Sequence, residues 1–431
     1  MRTGDAIQHE RIIKLFDRNQ SAGVAAGLLR VRVEDEKLVG QYVTVKGRRL
    51  LNFGSCAYLG LNLDDRLKAG AIDAIERYGP VFSSSGAYTS IDLYSRLETQ
   101  LEEIFEAAVI VPTTTTLGHL SALPLLIGAG DAVVVDAQAH SSIHLATQSL
   151  IAEGIPVRVV DHNDLEALDA ALADLVGSHN AVWYLADGVY SMYGDVAPVD
   201  AISSRLDRYD NLYVYIDDAH GFGWTGSKGR GFVLEGRTLH ERMVVAVSLS
   251  KSFGSGGAAI AFPNRALADR VQRLGGTMTF SGPLHPAELG AAIASAEIHL
   301  SDEHAHLMAR IDEQIEYMAH LIKEFEIPAV SIDHTPIWFA HIGGMNDTLE
   351  VAQRLLADGF YCNYAVFPAV PVGHGGIRFT QTLYHSEADL AAFVECMAGH
   401  IADVVDSVDD GIDITVDLSD AADLASEHAI H

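Results

Sequence analysis

The chain has 431 residues, too many for one compact core, so two domains with terminal appendages are expected. Its 48% hydrophobic and 20% charged residues suit a globular protein in water, and no apolar run approaches the ~20 residues a bilayer span needs. The formal charge of −29, from 58 acids against 29 bases, argues against nucleic-acid binding and against docking on anionic lipid through a broad basic face.

The N-terminal stretch is charged throughout and lacks the apolar core of a signal peptide, so a cytoplasmic protein is expected. Residues 9–29 read as a helix. LVGQYVTVKGRRLLNF (38–53) alternates like a hairpin with Lys46-Gly47 at its turn. From about residue 64, helices such as 96–108, 115–127, 163–176 and 198–209 alternate with short β-branched runs at 132–136, 156–161, 181–187, 212–217 and 243–250. Apolar runs this short and continuous suit strands buried on both faces, hence an α/β fold with a mostly parallel sheet covered by helices. A long helical stretch (286–326) leads to a smaller α+β unit. That unit reads strand 329–332, strand 336–342, helix 347–358, strand 366–370, strand 376–380 and helix 386–403. The end of the chain is acidic and poor in aromatics, and reads as a mobile tail. The expected division is an arm (1–55), a large domain (56–285), a small domain (286–402) and the tail (403–431). Cys56, Cys362 and Cys396 lie far apart without CxxC spacing, which points to neither a disulfide framework nor a metal site.

Seven lysines narrow the search for a reactive one. In VSLSKSFGSGGAAIAF (247–262), Lys251 follows a β-branched strand and sits among Ser248, Ser250, Ser252, Gly254 and Gly256. Small residues let backbone approach a bound group, and hydroxyls with free N–H groups suit a phosphate. A lysine in such a pocket can attack an aldehyde to form a Schiff base, although the same run also suits an ordinary loop lysine. YIDDAHGFGWTG (215–226) places Asp217 and His220 at the carboxyl end of a buried strand, where ligands bind in open α/β sheets. The D-x-x-H spacing lets an acid reach the nitrogen of a flat pyridine ring while the imidazole reaches its oxygen.

With these residues in order, the sequence resembles the α-oxoamine synthase family of fold-type I pyridoxal-phosphate (PLP) enzymes, from about residue 38 to 402. YLGL (58–61), DGVYSMYGDVAPV (187–199), IDDAHGFGWTG (216–226), SLSKSFG (248–254) and GGIRFT (375–380) carry the resemblance. It implies that Lys251 binds PLP, that Asp217 pairs with its ring nitrogen and that His220 lies near its oxygen. It implies also that His140 stacks on the ring and that Ser191 lines the cofactor site. Thr114, Thr115 and Thr116 stand at a phosphate-binding turn that opens a helix, where N–H groups and the helix dipole favour an anion. Ser248 matches a further phosphate ligand. Phe280-Ser281-Gly282 matches a segment that a second subunit lends to the phosphate, which implies a homodimer with a shared active site. Arg378 matches the arginine that holds the substrate carboxylate, a task for a planar fork.

The implied reaction condenses an amino acid with an acyl thioester, releasing carbon dioxide and free thiol and leaving an α-aminoketone. Coenzyme A is favoured as the thiol, because an acidic carrier protein would be repelled by a net charge of −29. A PLP-dependent aminotransferase or lyase on the same fold is the alternative. A silent partner subunit is disfavoured by the presence of Lys251. Three departures from the family pattern lie on the expected substrate side: Cys56-Ala57 before Tyr58-Leu59-Gly60, Tyr94 at a histidine position, and Tyr193 at an acidic one. An atypical substrate pair is therefore expected.

Overall fold

The computed structural model describes residues 2–409. The expected tail from residue 410 onward lies outside the described residues. The first helix spans Arg2–Ala26 and leads to a hairpin of β1 (Tyr42–Val45) and β2 (Arg48–Asn52). Lys46 and Gly47 at its turn both have positive φ, 50° and 71°, as a two-residue turn that follows the strands' own twist requires.

The central sheet is built from β3 (Ala108–Ile110), β4 (Ala132–Asp136), β5 (Val157–Val160), β6 (Val182–Asp187), β7 (Leu212–Asp217), β8 (Met243–Ser248) and β9 (Ala258–Phe262). Its strand order is β3-β9-β8-β7-β6-β4-β5, parallel from β8 to β5, with β9 antiparallel to both of its neighbours. Alternate residues point to opposite faces, as the two-residue period of a strand dictates. Val133, Val135, Leu185, Tyr215 and Val244 join a core with residues of the helices Thr115–Leu126, Ser141–Ala152 and Arg265–Leu274. Val134, Ala186, Val214, Ile216 and Val245 join a second core with the helices Asp92–Phe105, Leu165–Leu175, Val199–Arg208 and Pro286–His299. Fully burying one such Val, Leu or Ile is worth ~1.5–3 kcal/mol, so two-sided burial is what fixes these strands. Neither β3 nor β9 stands out in the sequence, the first being three residues long and the second alanine-rich.

The expected helix over 286–326 is two helices, Pro286–His299 and Asp302–Glu324, with a break at Leu300-Ser301. The first of them packs into the large unit through Leu289, Ala292, Ile293 and Ala296. By compactness the chain forms a larger unit, Ala57–Ser191 with Asp195–Ile311, and a smaller one. Of the described residues, the smaller unit takes 2–56, Met192–Gly194 and 312–409. The division thus differs from the expected one at both ends: residues up to 56 belong with the C-terminal part, and 286–311 with the large unit.

Within the smaller unit, β10 (Ile337–Gly343), β12 (Asn363–Ala365) and β13 (Gly375–Thr380) form an antiparallel sheet. Between them in sequence, β11 (Phe360–Tyr361) adds parallel to β2. The strand expected at 329–332 is only a single bridge, Ala329 to Ala340, and Val330 and Ile332 stay half exposed. At 366–370 the ladder ends earlier, at Ala365, and Pro368 has no N–H to continue one. The last helix runs Glu387–Asp409, past the expected end at 403, because Ile401 and Val404 prolong the buried stripe of Phe393, Val394 and Met397. Among the described residues no helix is long and apolar enough to cross a membrane.

Candidate active site

Four neighbouring parallel strands finish on polar residues: β4 on Asp136, β6 on Asp187, β7 on Asp217 and β8 on Ser248. The carboxyl ends of β6, β7 and β8 line a cavity of about 350 Å³ in the larger unit, and the loop after β4 adds His140. Lys251, His140, Asp217, His220, Thr114, Thr115, Thr116 and Ser248 all line it, so residues spread over 138 positions of sequence meet around one space. Ser191 and Ser281 are not among the lining residues. Arg378 belongs to the smaller unit, on β13, where its Nη2 lies 3.8 Å from Cys56 Sγ.

One end of the cavity suits an anion. Helix Thr115–Leu126 begins there, capped by Thr114, whose hydroxyl accepts the Leu117 N–H at 3.2 Å. Ser248 Oγ, at the end of β8, and Ser250 Oγ, in the turn that follows, lie 2.8 Å apart. Gly256 and Gly257 complete the lining, and a Cβ on Gly256 would sit 2.6 Å from Glu288 Oε1. Free helix N–H groups, hydroxyls and bare backbone are the donor set a phosphate takes.

The acids differ in character. Asp217 Oδ1 accepts the Ala219 N–H at 3.0 Å, and its Oδ2 accepts His119 Nε2–H at 2.9 Å. Burial makes Asp217 harder to ionise, but the His119 hydrogen bond and the charges of His119, Lys251 and His140 outweigh it, leaving the carboxyl below its ordinary value. Asp187 is its register partner on β6. Burial and the charge of Asp217 hold Asp187 well above the usual range, against the His140 N–H donated to its Oδ1 at 2.9 Å.

Each cavity histidine is bonded to a residue that does not line the cavity. The Tyr58 hydroxyl lies 2.7 Å from His220 Nδ1, and the His220 carbonyl accepts the Trp224 indole N–H. His140 Nδ1 lies 2.6 Å from Ser142 Oγ, and desolvation lowers the basicity of its ring, partly offset by Asp217. Behind His140, His162 bridges Asp136 Oδ1 (2.9 Å) and Asp195 Oδ2 (2.5 Å).

A primary amine, an ionised acid, two imidazoles and an anion cradle around one cavity are what PLP requires, and the residues present fit it. The remaining cluster of metal-capable side chains among the described residues is Asp358, Cys396 and His400. There His400 Nε2 approaches Asp358 Oδ2 to 2.6 Å, a hydrogen bond. Two ligands ~2.1 Å from a shared tetrahedral zinc would stand over 3 Å apart.

Fold and site together define a fold-type I PLP-dependent transferase. The sequence matches the family Aminotransferase class I and II over residues 48–396. It is 32% identical to 8-amino-7-oxononanoate synthase of Symbiobacterium thermophilum, over 85% of this chain and 92% of that protein. It is 29% identical to serine palmitoyltransferase of Bacteriovorax stolpii, over 84% of this chain and 85% of the relative. The solved Sphingomonas wittichii serine palmitoyltransferase superposes with a TM-score of 0.81 at 20% identity, covering 92% of this chain and 98% of that one. The chain belongs to the aminotransferase class I and II family and, within it, to the α-oxoamine synthases.

His119 and Asp187 are absent from the sequence-derived site. His119 lies on a helix whose residues are apolar on most sides, and its partner is 98 residues away. Asp187 ends a buried strand, as Asp217 does, and that shared position was the available signal.

Proposed function

We propose that the enzyme joins an amino acid to an acyl-coenzyme A, releasing carbon dioxide and free coenzyme A and forming an α-aminoketone. The observation that carries this is the convergence of Lys251, Asp217, His140, His220 and the Thr114–Thr116 turn on one cavity. PLP bound through Lys251 supplies an electron sink for the charge left when the amino acid's α-proton departs. Asp217, ionised and fixed by two donors, is suited to hold a proton on the ring nitrogen. The helix N-terminus at Thr115 and the hydroxyls of Thr114 and Ser248 would hold the phosphate. His140 would lie against the face of the bound ring, and His220, steadied by Tyr58, would donate toward the ring oxygen or the thioester carbonyl. The Lys251 amine, once released, takes the α-proton. Arg378, buried at 7% exposure, is assigned the substrate carboxylate. The α-carbon then bonds to the thioester carbonyl, the carbon–sulfur bond breaks with release of thiol, and the β-keto acid loses carbon dioxide.

The shared-site dimer is supported by Phe280, 90% exposed, next to a Ser281 that is not among the residues lining its own chain's cavity. Cys56, Tyr94 and Tyr193 support a substrate pair that differs from those of the relatives. The test is a panel of amino acids and acyl-coenzyme A esters followed by mass spectrometry. Thiol and carbon dioxide in equal amounts with an aminoketone are expected. A keto acid formed without thiol release, across the panel, would identify an aminotransferase instead.

A further inference from the structure

Asp187 and Asp217 end adjacent parallel strands in register, so their carboxyl groups sit side by side about one strand spacing (~4.8 Å) apart. Both line the same cavity, and both are nearly sealed from water at 3% and 4% exposure. Two buried carboxylates this close do not both ionise cheaply, and one of them keeps a proton. Only one of the two can serve a ring nitrogen that must stay protonated. The backbone does not choose between them: each accepts one N–H, Asp187 from His140 and Asp217 from Ala219.

The asymmetry comes from His119. It is fully buried on helix Thr115–Leu126, and its Nε2–H reaches Asp217 Oδ2 at 2.9 Å. Its other nitrogen lies 2.8 Å from the Tyr215 hydroxyl, two residues earlier on the same strand as Asp217, with the two rings edge to face. The imidazole is thereby fixed in orientation and aimed at one acid of the pair. Lys251 bears on both acids and so does not discriminate; the charge of His140 adds a smaller pull toward Asp217 than His119 does, and Asp136 adds its charge against Asp187. We infer that His119 is the positioning residue that places the negative charge of the Asp187–Asp217 pair on Asp217. Tyr215 holds His119 to that task. This rests on the PLP reading above, and Asp187 becomes a protonated acid whose part is to hold the His140 backbone.

The test compares His119→Ala, Asp187→Asn and the double variant. PLP affinity is measured by titrating apo-enzyme, and the cofactor's absorption is followed as a function of pH. His119→Ala should raise the Kd for PLP by about tenfold, the low end of what losing an outer-shell partner costs at metal sites, and should displace the pH at which the bound cofactor's spectrum changes. Adding Asp187→Asn should bring both back toward the Asp187→Asn values, because only Asp217 can then ionise. A merely structural histidine would not be rescued this way. If His119→Ala does not fold, His119→Asn, alone and with Asp187→Asn, gives the same comparison. A wild-type Kd and spectrum in His119→Ala, or a double variant no better than the single, overturns the inference while leaving the function intact. A wild-type protein that takes no PLP on Lys251 brings down both.

Discussion

Lys251 and Lys228 both lie in glycine-containing loops, yet their surroundings differ. Lys228 Nζ is engaged with Glu103 Oε1 at 3.1 Å on the surface, whereas Lys251 faces the cavity. Borohydride treatment of the PLP-loaded enzyme should therefore trap the cofactor on the Lys251 peptide, and a reduced adduct on Lys228 would refute the assignment. For Arg378→Ala, amino-acid binding should weaken by ~2–5 kcal/mol, the scale for stripping a partner from a buried charge. The cofactor's spectrum should persist, because Arg378 is not among the residues that line the cofactor cavity. A variant that lost PLP but still bound the amino acid normally would show the role to be wrong. Lys251, Asp217 and His220 could be read directly because each lies in a contiguous motif whose neighbours explain it. His119 could not: its meaning resides in a hydrogen bond across 98 residues, and a histidine in an apolar helix carries no local mark of that partner.

At the scale of elements, the loop after β4 carries His140 and the turn after β6 carries Asp195, and His162 joins the two. Asp136 also accepts the Gln138 N–H and the Asn163 N–H, so the clamp fixes the chain on both sides. Desolvation works against charging His162, but the hydrogen bonds to Asp136 and Asp195 dominate and push it up to about 9. A base raised in the folded state contributes stability that is complete below its unfolded value near 6.5 and is lost as the pH rises through about 9. Thermal midpoints measured from pH 6 to 10 should fall across that window in the wild type and stay flatter in His162→Gln. Parallel slopes in both proteins would remove His162 from the account. Strands β4 to β8 were legible because continuous β-branched runs are forced by burial on both faces. β9 was not, since Ala258, Ala259 and Ala261 fit the sheet by being small, and smallness has no period.

For the whole molecule, the proposed sharing of Ser281 makes a quantitative prediction. Lys251→Ala and Ser281→Asp subunits, each inactive alone, are mixed and allowed to exchange. Half of the dimers are then mixed, each with one intact composite site, and activity should recover to about one quarter of wild type. No recovery with demonstrated exchange would mean that each chain completes its own site. The order of chain segments was legible and their grouping was not. Whether residues up to 56 join the first or the last part of the chain depends on pairings such as Leu51 with Phe360, which no local pattern announces.

That pairing has a consequence for how the protein is born. The β1–β2 hairpin emerges early from the ribosome, but its outer edge is satisfied by Phe360 and Tyr361, and the Phe53 carbonyl by the Thr380 N–H. Roughly 300 residues must be translated in between, which at about 5–20 residues per second takes about 15–60 s. Throughout that interval the nascent chain presents an unpaired strand edge beside Leu50 and Leu51, which are buried once folding is complete. Synthesis of this enzyme should thus lean on chaperones that shield the nascent chain, and truncations before residue 360 should aggregate.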